Sequence, residues 1–309
     1  MEIICLGEAL IDFKAVGELA FQGYPGGSPF NVAVAASRLG NRVGFASQVS
    51  TDMFGTEIMH YMRENGIETD YVLRSDAPST LAFVSEQGGD AHFSFFADGA
   101  ADRRYDPIPR PEFPSSVRYL MFGSISLLSE PAATAIAETV KGNKDRVMSI
   151  FDPNVRPALI PDRQRYLENL KAWLDLASIV KTSVQDLDWL YPGRAVDTIS
   201  EEWMSHGSQA VIVTRGSEGA ILFHADRSVH EVPSPRVSVA DTVGAGDTFT
   251  GAFMVALAER SIDDFREVGE KEAQELLSFS VTAAALTCSR QGADPPNRKE
   301  VDKFLSAVR

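Results

Sequence analysis

Cysteine is scarce in this sequence, which has 2 cysteines, Cys5 and Cys288, among 309 residues. Each lies inside an apolar run, a pattern that favours buried free thiols over a disulfide and is typical of a reducing compartment. No run approaches the roughly 18 apolar residues of a membrane-spanning helix. The first residues resemble neither a signal peptide nor a transit peptide. We therefore expect a soluble, cytoplasmic protein with no membrane partner.

Basic residues are too few to balance the acidic ones, since 29 Lys and Arg face 43 Asp and Glu and the net charge is -14. Such a charge repels polyanions, so nucleic acid is not an expected partner. The 5 histidines are scattered without the spacing of metal ligands, so no histidine metal site is predicted. The expected ligand is a small molecule.

Apolar periodicity continues through the chain without a repeat or a long linker, which predicts a single domain over residues 1–309. Short runs rich in Val, Ile and Phe predict buried strands, with helix-period segments between most of them. This alternation is typical of an α/β protein with a mainly parallel sheet covered on both faces. The predicted strands are Glu2–Gly7, Val43–Ser47, Tyr119–Gly123, Val147–Phe151, Ile179–Lys181 and Ala210–Thr214. The predicted helices are Ser28–Leu39, Phe54–Asn65 and Glu130–Val140, followed by a mostly helical C-terminal part with Phe249–Ala258, Phe265–Leu286 and Arg298–Ala307.

Two stretches lie outside that alternation. Ala9–Lys14 predicts a short strand, and Thr80–Glu86 with Ala91–Phe96 predicts a hairpin that turns at Gly88 and Gly89. We expect these segments to form a small antiparallel β lid, from about residues 9–16 and 80–106. A lid that closes would exclude water from a reaction site.

The strongest functional signal is the segment 241–249, DTVGAGDTF, which runs directly into a helical pattern. Gly244, Ala245 and Gly246 leave the backbone uncovered, so consecutive N–H groups at a helix start can hold an anion. Asp247 follows in the first turn of the same helix. A carboxylate there can remove a proton from a hydroxyl while the N–H groups stabilise charge on a phosphoryl group. The segment therefore predicts phosphoryl transfer to an alcohol.

Two separated motifs resemble the signatures of the ribokinase (PfkB) family of carbohydrate kinases. The first is GGSPFNVA at 26–33 with SRLG at 37–40, and the second is the segment 241–249. GSISL at 123–127, DPNVRP at 152–157 and VTRG at 213–216 follow in family order, so the similarity covers essentially the whole chain. Within the family, these variants and KTSVQDLDWLYP at 181–192 resemble bacterial fructokinases most.

The resemblance implies a ribokinase-like three-layer α/β/α domain with a mainly parallel central sheet and a small β lid. It implies an enzyme that transfers the γ-phosphoryl group of ATP to a sugar hydroxyl, converting fructose to fructose 6-phosphate. Asp247 would be the catalytic base, and Gly244, Ala245 and Gly246 would form the anion hole. The residues implied in sugar binding are Asp12, Gly26, Gly27, Asn31 and Phe96. Their chemistry agrees, because Asp12 offers acceptor oxygens to vicinal hydroxyls and Asn31 offers both a donor and an acceptor.

For the nucleotide, the resemblance implies a set of contacts from Lys181, Ser183, Thr214, Gly216, Gly219, Gly292 and Ala293. Arg156 is the best basic candidate for a phosphate contact, because a guanidinium matches phosphate oxygens; an ordinary surface arginine is the alternative. Many family members carry Asn-x-x-Glu where this chain has Ser183 and Asp186. We therefore expect Asp186 to meet Mg²⁺ through water. The resemblance also suggests K⁺ near Asp241.

Several alternatives stay open at this point. A 2-keto-3-deoxygluconate kinase, or another sugar or nucleoside kinase, shares these signatures. Kinases of the acid sugar tend to carry an arginine where this chain has Ala97 followed by Asp98, which favours a neutral sugar, although Arg103 or Arg104 could face the pocket. A sugar-binding regulator without catalysis is a different class. A Rossmann dehydrogenase is disfavoured, because no strand leads into Gly-x-Gly-x-x-Gly. We also expect a homodimer formed through the lid.

Overall fold

The computed structural model of the chain describes the backbone of residues 1–87 and 90–308 and the side chains of residues 1–84 and 94–307. Gly88 and Gly89, where the sequence predicts the hairpin turn, lie outside the described residues. The strands are β1 (Ile3–Leu6), β2 (Leu10–Ala15), β3 (Phe21–Gly26), β4 (Val43–Ser50), β5 (Glu68–Ser75), β6 (Leu81–Gln87), β7 (Asp90–Phe96), β8 (Tyr119–Gly123), β9 (Met148–Asp152), β10 (Ile179–Ser183), β11 (Ala210–Thr214), β12 (Ala220–His224) and β13 (Val229–Val232). The helices are α1 (Ser28–Arg38), α2 (Met53–Glu64), α3 (Ala132–Asn143), α4 (Arg163–Leu174), α5 (Val184–Leu190), α6 (Val196–Met204), α7 (Ala245–Arg260), α8 (Glu270–Cys288) and α9 (Arg298–Val308).

The main sheet has nine strands in the order β13-β12-β11-β10-β9-β8-β1-β4-β5. The pairs from β11 through to β5 are parallel, while β12 and β13 add to one edge in antiparallel fashion. All six strands predicted in the alternating part of the chain belong to it. The mainly parallel sheet is therefore confirmed.

Helices cover both faces of this sheet, as strand β1 illustrates. Ile3 and Cys5 point into one core with α1, α2, α7 and α8, and Ile4 and Leu6 point into the other with α3 to α6. Successive residues of a strand face opposite ways, so a strand buried on both sides must be apolar throughout. All four residues of β1 are fully buried. The three-layer α/β/α architecture is confirmed.

A second sheet of four strands, in the order β3-β2-β6-β7, forms the small β lid. Three of its features correct the sequence-based prediction. β3 was not predicted, although it pairs with β2 along its whole length. The lid is not wholly antiparallel as predicted, because β2 and β6 pair in parallel. The hairpin ends at Phe96 as predicted, and the chain then returns to the body, where Asp102 and Tyr105 are buried, so the lid sheet stops short of residue 106.

Other differences lie at the sheet edge and near the C-terminal helices. The edge strands β5 and β13, and β12 beside β13, were not predicted. β5 has no fully buried residue, and an edge strand needs no apolar run. The predicted helix Phe265–Leu286 begins later, at Glu270. Residues 265–267 form a separate short turn, in which the Asp264 carboxylate accepts from the N–H of Arg266.

The strand order reverses between β1 and β8, where the chain leaves for opposite halves of the sheet. In doubly wound sheets such a point, at the carboxyl ends of the strands, is where ligands bind. The loops after β1, β8, β9 and β10 meet there with the starts of α1 and α7. Over the described part of the chain, no helix is long and apolar enough to cross a membrane.

Candidate active site

Asp247 lies in the first turn of α7, where the carboxylate is held from the first turn of α1. Its Oδ1 accepts from the Ser28 hydroxyl at 2.7 Å, and its Oδ2 accepts from the Asn31 amide nitrogen at 2.8 Å. Asn31, predicted to bind sugar, and Asp247, predicted to act as base, are therefore adjacent. A carboxylate with both oxygens held has a fixed orientation.

The close approach of α1 and α7 makes this contact possible. At Gly251, one turn along α7, a Cβ would lie 2.8 Å from the carbonyl oxygen of Val32 and 2.9 Å from Ala35 Cβ. A side chain at 251 would push the helices apart. Residues 248–258 of α7 are buried throughout, so the helix has no freedom to shift. The packing of two core helices thus sets the distance between their first turns.

The residues of the predicted anion hole form the start of α7. Gly244 is the N-cap with φ 76°, a left-handed conformation that favours glycine, and a Cβ there would lie 2.6 Å from Ala293 Cβ. Ala245 and Gly246 follow in the first turn, where N–H groups have no carbonyl within the helix to bond. The geometry leaves a half-exposed cluster of donors beside Asp247.

On the lid side of the site, Asp12 lies over Gly26. A Cβ at Gly26 would overlap Asp12 Oδ2, and a Cβ at Gly27, where φ is 107°, would lie 2.7 Å from the carbonyl oxygen of Glu8. Both glycines are therefore required by close packing. Burial raises the pKa of Asp12 to about 6, with the nearby Arg156 cation opposing the shift and Asp247 adding to it. Asp12, Arg156 and Asp247 consequently surround one space.

Lys181 and Asp152 form a buried ion pair beside Gly244, Ala245 and Gly246, the predicted anion hole that we call the glycine cradle. Lys181 Nζ lies 2.8 Å from Asp152 Oδ2, and the side chains are 7% and 1% exposed. The same ammonium lies 3.1 Å from where a Cβ would stand on Gly246. Burial lowers the pKa of Lys181, but the carboxylates of Asp152, Asp186 and Asp247 outweigh it and raise the pKa. The ammonium therefore stays charged next to the predicted anion hole.

Arg156 follows β9 on the same side of the site. One of its guanidinium nitrogens donates to Asn154 Oδ1 at 2.7 Å and to the Val155 carbonyl at 3.1 Å. It influences the charge of Asp12 rather than standing in open solvent. This weakens the alternative that Arg156 is an ordinary surface arginine.

Asp186 is buried at the start of α5, where it forms a capping box with Ser183. Its Oδ2 accepts from the Ser183 N–H at 3.1 Å and hydroxyl at 2.7 Å, and its Oδ1 accepts from the Val155 N–H at 2.9 Å. These bonds fix the loop that carries Arg156. A carboxylate so enclosed fits a contact to Mg²⁺ through water better than direct coordination.

Asp241 precedes the cradle and is enclosed by donors. Lys14 Nζ, from the lid, lies 2.8 Å from Oδ2, and the Gly292 N–H donates to the same oxygen at 3.0 Å. Oδ1 accepts from the Val243 N–H at 3.1 Å. Gly292 and the adjoining Ala293, which packs on Gly244, thus reach the start of α7.

The remaining predicted nucleotide residues lie at the end of β11. The Thr214 hydroxyl donates to the carbonyl of Thr182, the residue before Ser183, at 3.2 Å. Gly216 and Gly219 have φ of 56° and 97°, and a Cβ at Gly219 would overlap the carbonyl oxygen of Val232. They shape a turn one strand away from Lys181.

The structure does not bring Phe96 to this group. In β7, Phe95 is opposite Ala82, which pairs with Asp12, whereas Phe96 is opposite Leu81 on the other face of the lid. The Phe96 ring packs on Phe83 and is 63% exposed. The prediction is off by one residue, which in a strand means the opposite face. Phe95, packed with Leu10, Ala82 and Ile125, is the aromatic residue on the Asp12 face.

Sequence reasoning missed Glu8, Ser28, Asp152 and Lys14, all of which contact the predicted site residues. Glu8 is the clearest case, since it is 2% exposed and directly follows β1. An acidic residue at the end of a fully apolar strand is a usable signal, because buried carboxylates are rare without a function or a partner. Among the residues whose side chains are described, no cluster of three or more His, Cys, Asp or Glu could hold a metal ion.

Comparison with protein families decides the class of this site. Residues 1–300 match the family model described as "pfkB family carbohydrate kinase". The chain belongs to the pfkB family of carbohydrate kinases. It is thus a phosphotransferase, and the resemblance of its two signature motifs is confirmed.

The chain is similar to individual relatives over nearly its whole length. The chain is 36% identical to a fructokinase of Rhizobium leguminosarum bv. trifolii, over 89% of this chain and 85% of that protein. Its fold matches the solved structure of a fructokinase with bound ATP from Xylella fastidiosa with a TM-score of 0.90, at 30% identity, covering 99% and 98% of the two chains. An aminoimidazole riboside kinase of Salmonella enterica, solved with aminoimidazole riboside and an ATP analogue, matches with a TM-score of 0.87 at 25% identity, over 99% and 100%. The ribokinase-like fold is confirmed.

Proposed function

We propose that this kinase transfers the γ-phosphoryl group of ATP to fructose, giving fructose 6-phosphate. The observation that carries the proposal is the position of Asp247, between Asp12 on the lid side and the N–H groups of Gly244 to Gly246. A hydroxyl bound near Asp12 and Asn31 would adjoin both a base and an anion hole. The fructokinase names of the relatives support fructose as the acceptor.

In the proposed reaction, Asp12 and Asn31 hold the sugar with Gly26 and Gly27 as close backbone contacts. The attacking hydroxyl oxygen forms a bond to the γ-phosphorus while the bond to the bridging oxygen of ADP breaks. Asp247 accepts the hydroxyl proton. The N–H groups of the cradle stabilise the charge on the transferred group, which needs no reorganisation because helix packing has already fixed them.

For the nucleotide, we propose contacts to the phosphates from Lys181 and Arg156, and to the rest of ATP from Ser183, Thr214, Gly216, Gly219, Gly292 and Ala293. Mg²⁺ neutralises phosphate charge when bound and keeps most of its waters, so a dedicated protein cage is not required. Asp186 would meet one of those waters. Both Asp186 oxygens already accept hydrogen bonds from the protein, so such a water would have to donate to a remaining lone pair.

K⁺ near Asp241 stays a prediction. A turned loop with a carboxylate supports it, but both Asp241 oxygens already accept hydrogen bonds, one of them from the Lys14 ammonium. A cation there would have to rely on backbone carbonyl oxygens of the segment 285–292 as well.

Sugar affinity should depend on pH through Asp12. Because its pKa is raised to about 6, the carboxylate gains a proton as the pH falls through 6 and loses acceptor capacity for sugar hydroxyls. We expect KM for fructose to rise by about fourfold between pH 7.5 and pH 5.5, the largest change that one group titrating near pH 6 allows, while KM for ATP changes little. Steady-state kinetics at both pH values measure this. In Asp12→Asn, KM should be high and independent of pH; a native KM that stays flat would contradict the role of Asp12.

A coupled ADP-release assay over fructose, tagatose, ribose, 2-keto-3-deoxygluconate and nucleosides tests the acceptor. We expect kcat/KM for fructose to exceed that for 2-keto-3-deoxygluconate, because Asp12 and Asp247 face the acceptor space and would repel a carboxylate. Asp247→Asn, prepared in parallel, controls for contaminating kinase. A better rate with the acid sugar would refute fructose as the acceptor, and no ADP with any acceptor would support the non-catalytic alternative.

The second candidate is a nucleoside-like riboside acceptor. It is favoured by the structural match to the aminoimidazole riboside kinase, although the identity is lower than for the fructokinase relatives. An Ala97→Arg variant cannot be used to compare acceptors, because Ala97 is buried and an arginine side chain would not fit there. The acceptors must therefore be compared on the native chain.

The lid supports a proposal of homodimer formation. The face opposite Asp12 carries stacked and edge-packed rings of Phe13, Phe21, Phe83 and Phe96. Apolar side chains beside it, Val16 and Leu19, are strongly exposed. We expect a dimer by sedimentation at micromolar concentration and a monomer for Phe96→Lys. A native monomer under these conditions would contradict the proposal.

A further inference from the structure

Glu8 is a buried glutamate that the proposed reaction does not use. It is 2% exposed, and within the described part of the chain no lysine or arginine forms an ion pair with it. Burial raises the pKa of Glu8 to about 7, with hydrogen bonds from Ser126 and Ser124 opposing the shift and the Asp102 carboxylate adding to it. A buried carboxyl group is costly, so its retention calls for a function.

The contacts of Glu8 join three segments at the carboxyl edge of the sheet. Its Oε1 accepts from the Ser28 N–H at 3.2 Å. Its Oε2 contacts the Ser126 hydroxyl, and its own N–H donates to the Ser126 hydroxyl oxygen at 2.8 Å. Glu8 thereby ties the end of β1 to the start of α1 and to the loop after β8.

Ser28 links Glu8 to Asp247, the proposed base. Its N–H is held by Glu8, and its hydroxyl donates to Asp247 Oδ1 at 2.7 Å. Ser28 is also buried, so neither partner is exchanged for water at low cost. The Asn31 amide holds the second oxygen of Asp247 from the same turn.

We propose that Ser28 and Glu8 are positioning residues for phosphoryl transfer: Ser28 orients the Asp247 carboxylate towards the sugar hydroxyl, and Glu8 holds Ser28 in place. This inference rests on the proposed role of Asp247 as base. A base must meet its proton within about 2.6–3.2 Å, so a carboxylate free to rotate reacts more slowly. Neither Ser28 nor Glu8 needs to touch the sugar.

Ser28→Ala should lower kcat about tenfold with KM for ATP nearly unchanged, since one orienting hydrogen bond is lost. KM for the acceptor should also change little, because Ser28 need not touch the sugar. The charged groups that face Asp247 are Asp12 from β2, Asp152 from β9 and Lys181 from β10, and all three remain in this variant. Ser280→Ala is the matched control, because Ser280 is buried and donates only within α8, to the carbonyl of Leu276.

Glu8→Met keeps the volume but removes the acceptor for Ser28, so it should lower kcat as Ser28→Ala does, with KM for ATP nearly unchanged. Glu8→Gln should recover most of the rate lost in Glu8→Met, because an amide oxygen can still accept from the Ser28 N–H. The double variant Glu8→Met/Ser28→Ala should be no slower than either single variant, because both act through one path. If Glu8→Met does not fold, Ser126→Ala replaces it, since it removes the other anchor of Glu8.

The measurement is kcat, together with KM for MgATP and for the acceptor that has the highest kcat/KM in the panel above. A native kcat in Ser28→Ala would overturn the inference, as would a loss that appears only in KM or fully additive losses in the double variant. A fully active Asp247→Asn would instead refute the base itself, and with it the proposed function. The two failures are therefore distinguishable.

Discussion

Asp247→Asn should fold and bind sugar and ATP nearly as the native chain does, while kcat falls by roughly two to four orders of magnitude. This corresponds to about 3 to 5 kcal/mol in the barrier. Asparagine preserves the shape, and its single amide oxygen can still accept one of the two hydrogen bonds, from Ser28 or from Asn31, that hold the carboxylate in the native chain. It cannot take a proton from a sugar hydroxyl. Steady-state ADP release measures the loss, and calorimetric titration measures binding.

The control is to show that this variant keeps the native fold of α7. Residues 248–258 are all buried, and a displaced helix would also abolish activity. Unchanged thermal unfolding would exclude that cause. An Asp247→Asn enzyme within tenfold of the native rate, free of contaminating kinase, would remove Asp247 as the base.

Lys181→Met should lower both stability and rate. Removal of the ammonium leaves Asp152 as an uncompensated buried carboxylate, which costs about 3–5 kcal/mol when a buried pair loses one partner. The ammonium also adjoins Gly246, where the transferred phosphoryl group is proposed to lie, so kcat should fall by about a hundredfold. Urea unfolding and ADP release measure the two effects separately.

A double variant separates the structural role of Lys181 from its proposed contact with phosphate. Lys181→Met/Asp152→Asn carries no buried charge at this pair, so it should recover most of the lost free energy of unfolding. Its rate should stay low, because no cation faces the cradle from this position. If the double variant recovered native kcat, Lys181 would serve only to balance Asp152.

The fold could be predicted from the sequence because the central strands are apolar on both faces. β8 and β11 match their predicted bounds, and β1 is one residue shorter than predicted at each end. Edge strands such as β13 carry no such run, with burial alternating along a polar sequence, and they were not predicted. The local sequence pattern reflects how deeply a strand is buried, and the strands at the edges of a sheet are the least buried.

The site could be predicted only where a motif is contiguous. The cradle and Asp247 lie within nine residues of sequence, whereas the Ser28 to Asp247 contact spans 219 residues and the Glu8 to Ser126 contact spans 118. Such contacts depend on how helices and loops pack. The exchange of Phe95 for Phe96 has a different cause, since a shift of one residue along a strand moves a side chain to the opposite face of the sheet.

A structure of the chain with fructose and a non-hydrolysable ATP analogue is the sharpest test of Asp247 as the base and of the N–H groups at the start of α7 as the anion hole. We expect the fructose 6-hydroxyl oxygen to lie within about 2.6–3.2 Å of an Asp247 carboxylate oxygen. We also expect the γ-phosphate to lie on the N–H groups at the start of α7, in line with that hydroxyl. A bound fructose whose hydroxyls all lie out of reach of Asp247, or a γ-phosphate away from the cradle, would contradict these roles.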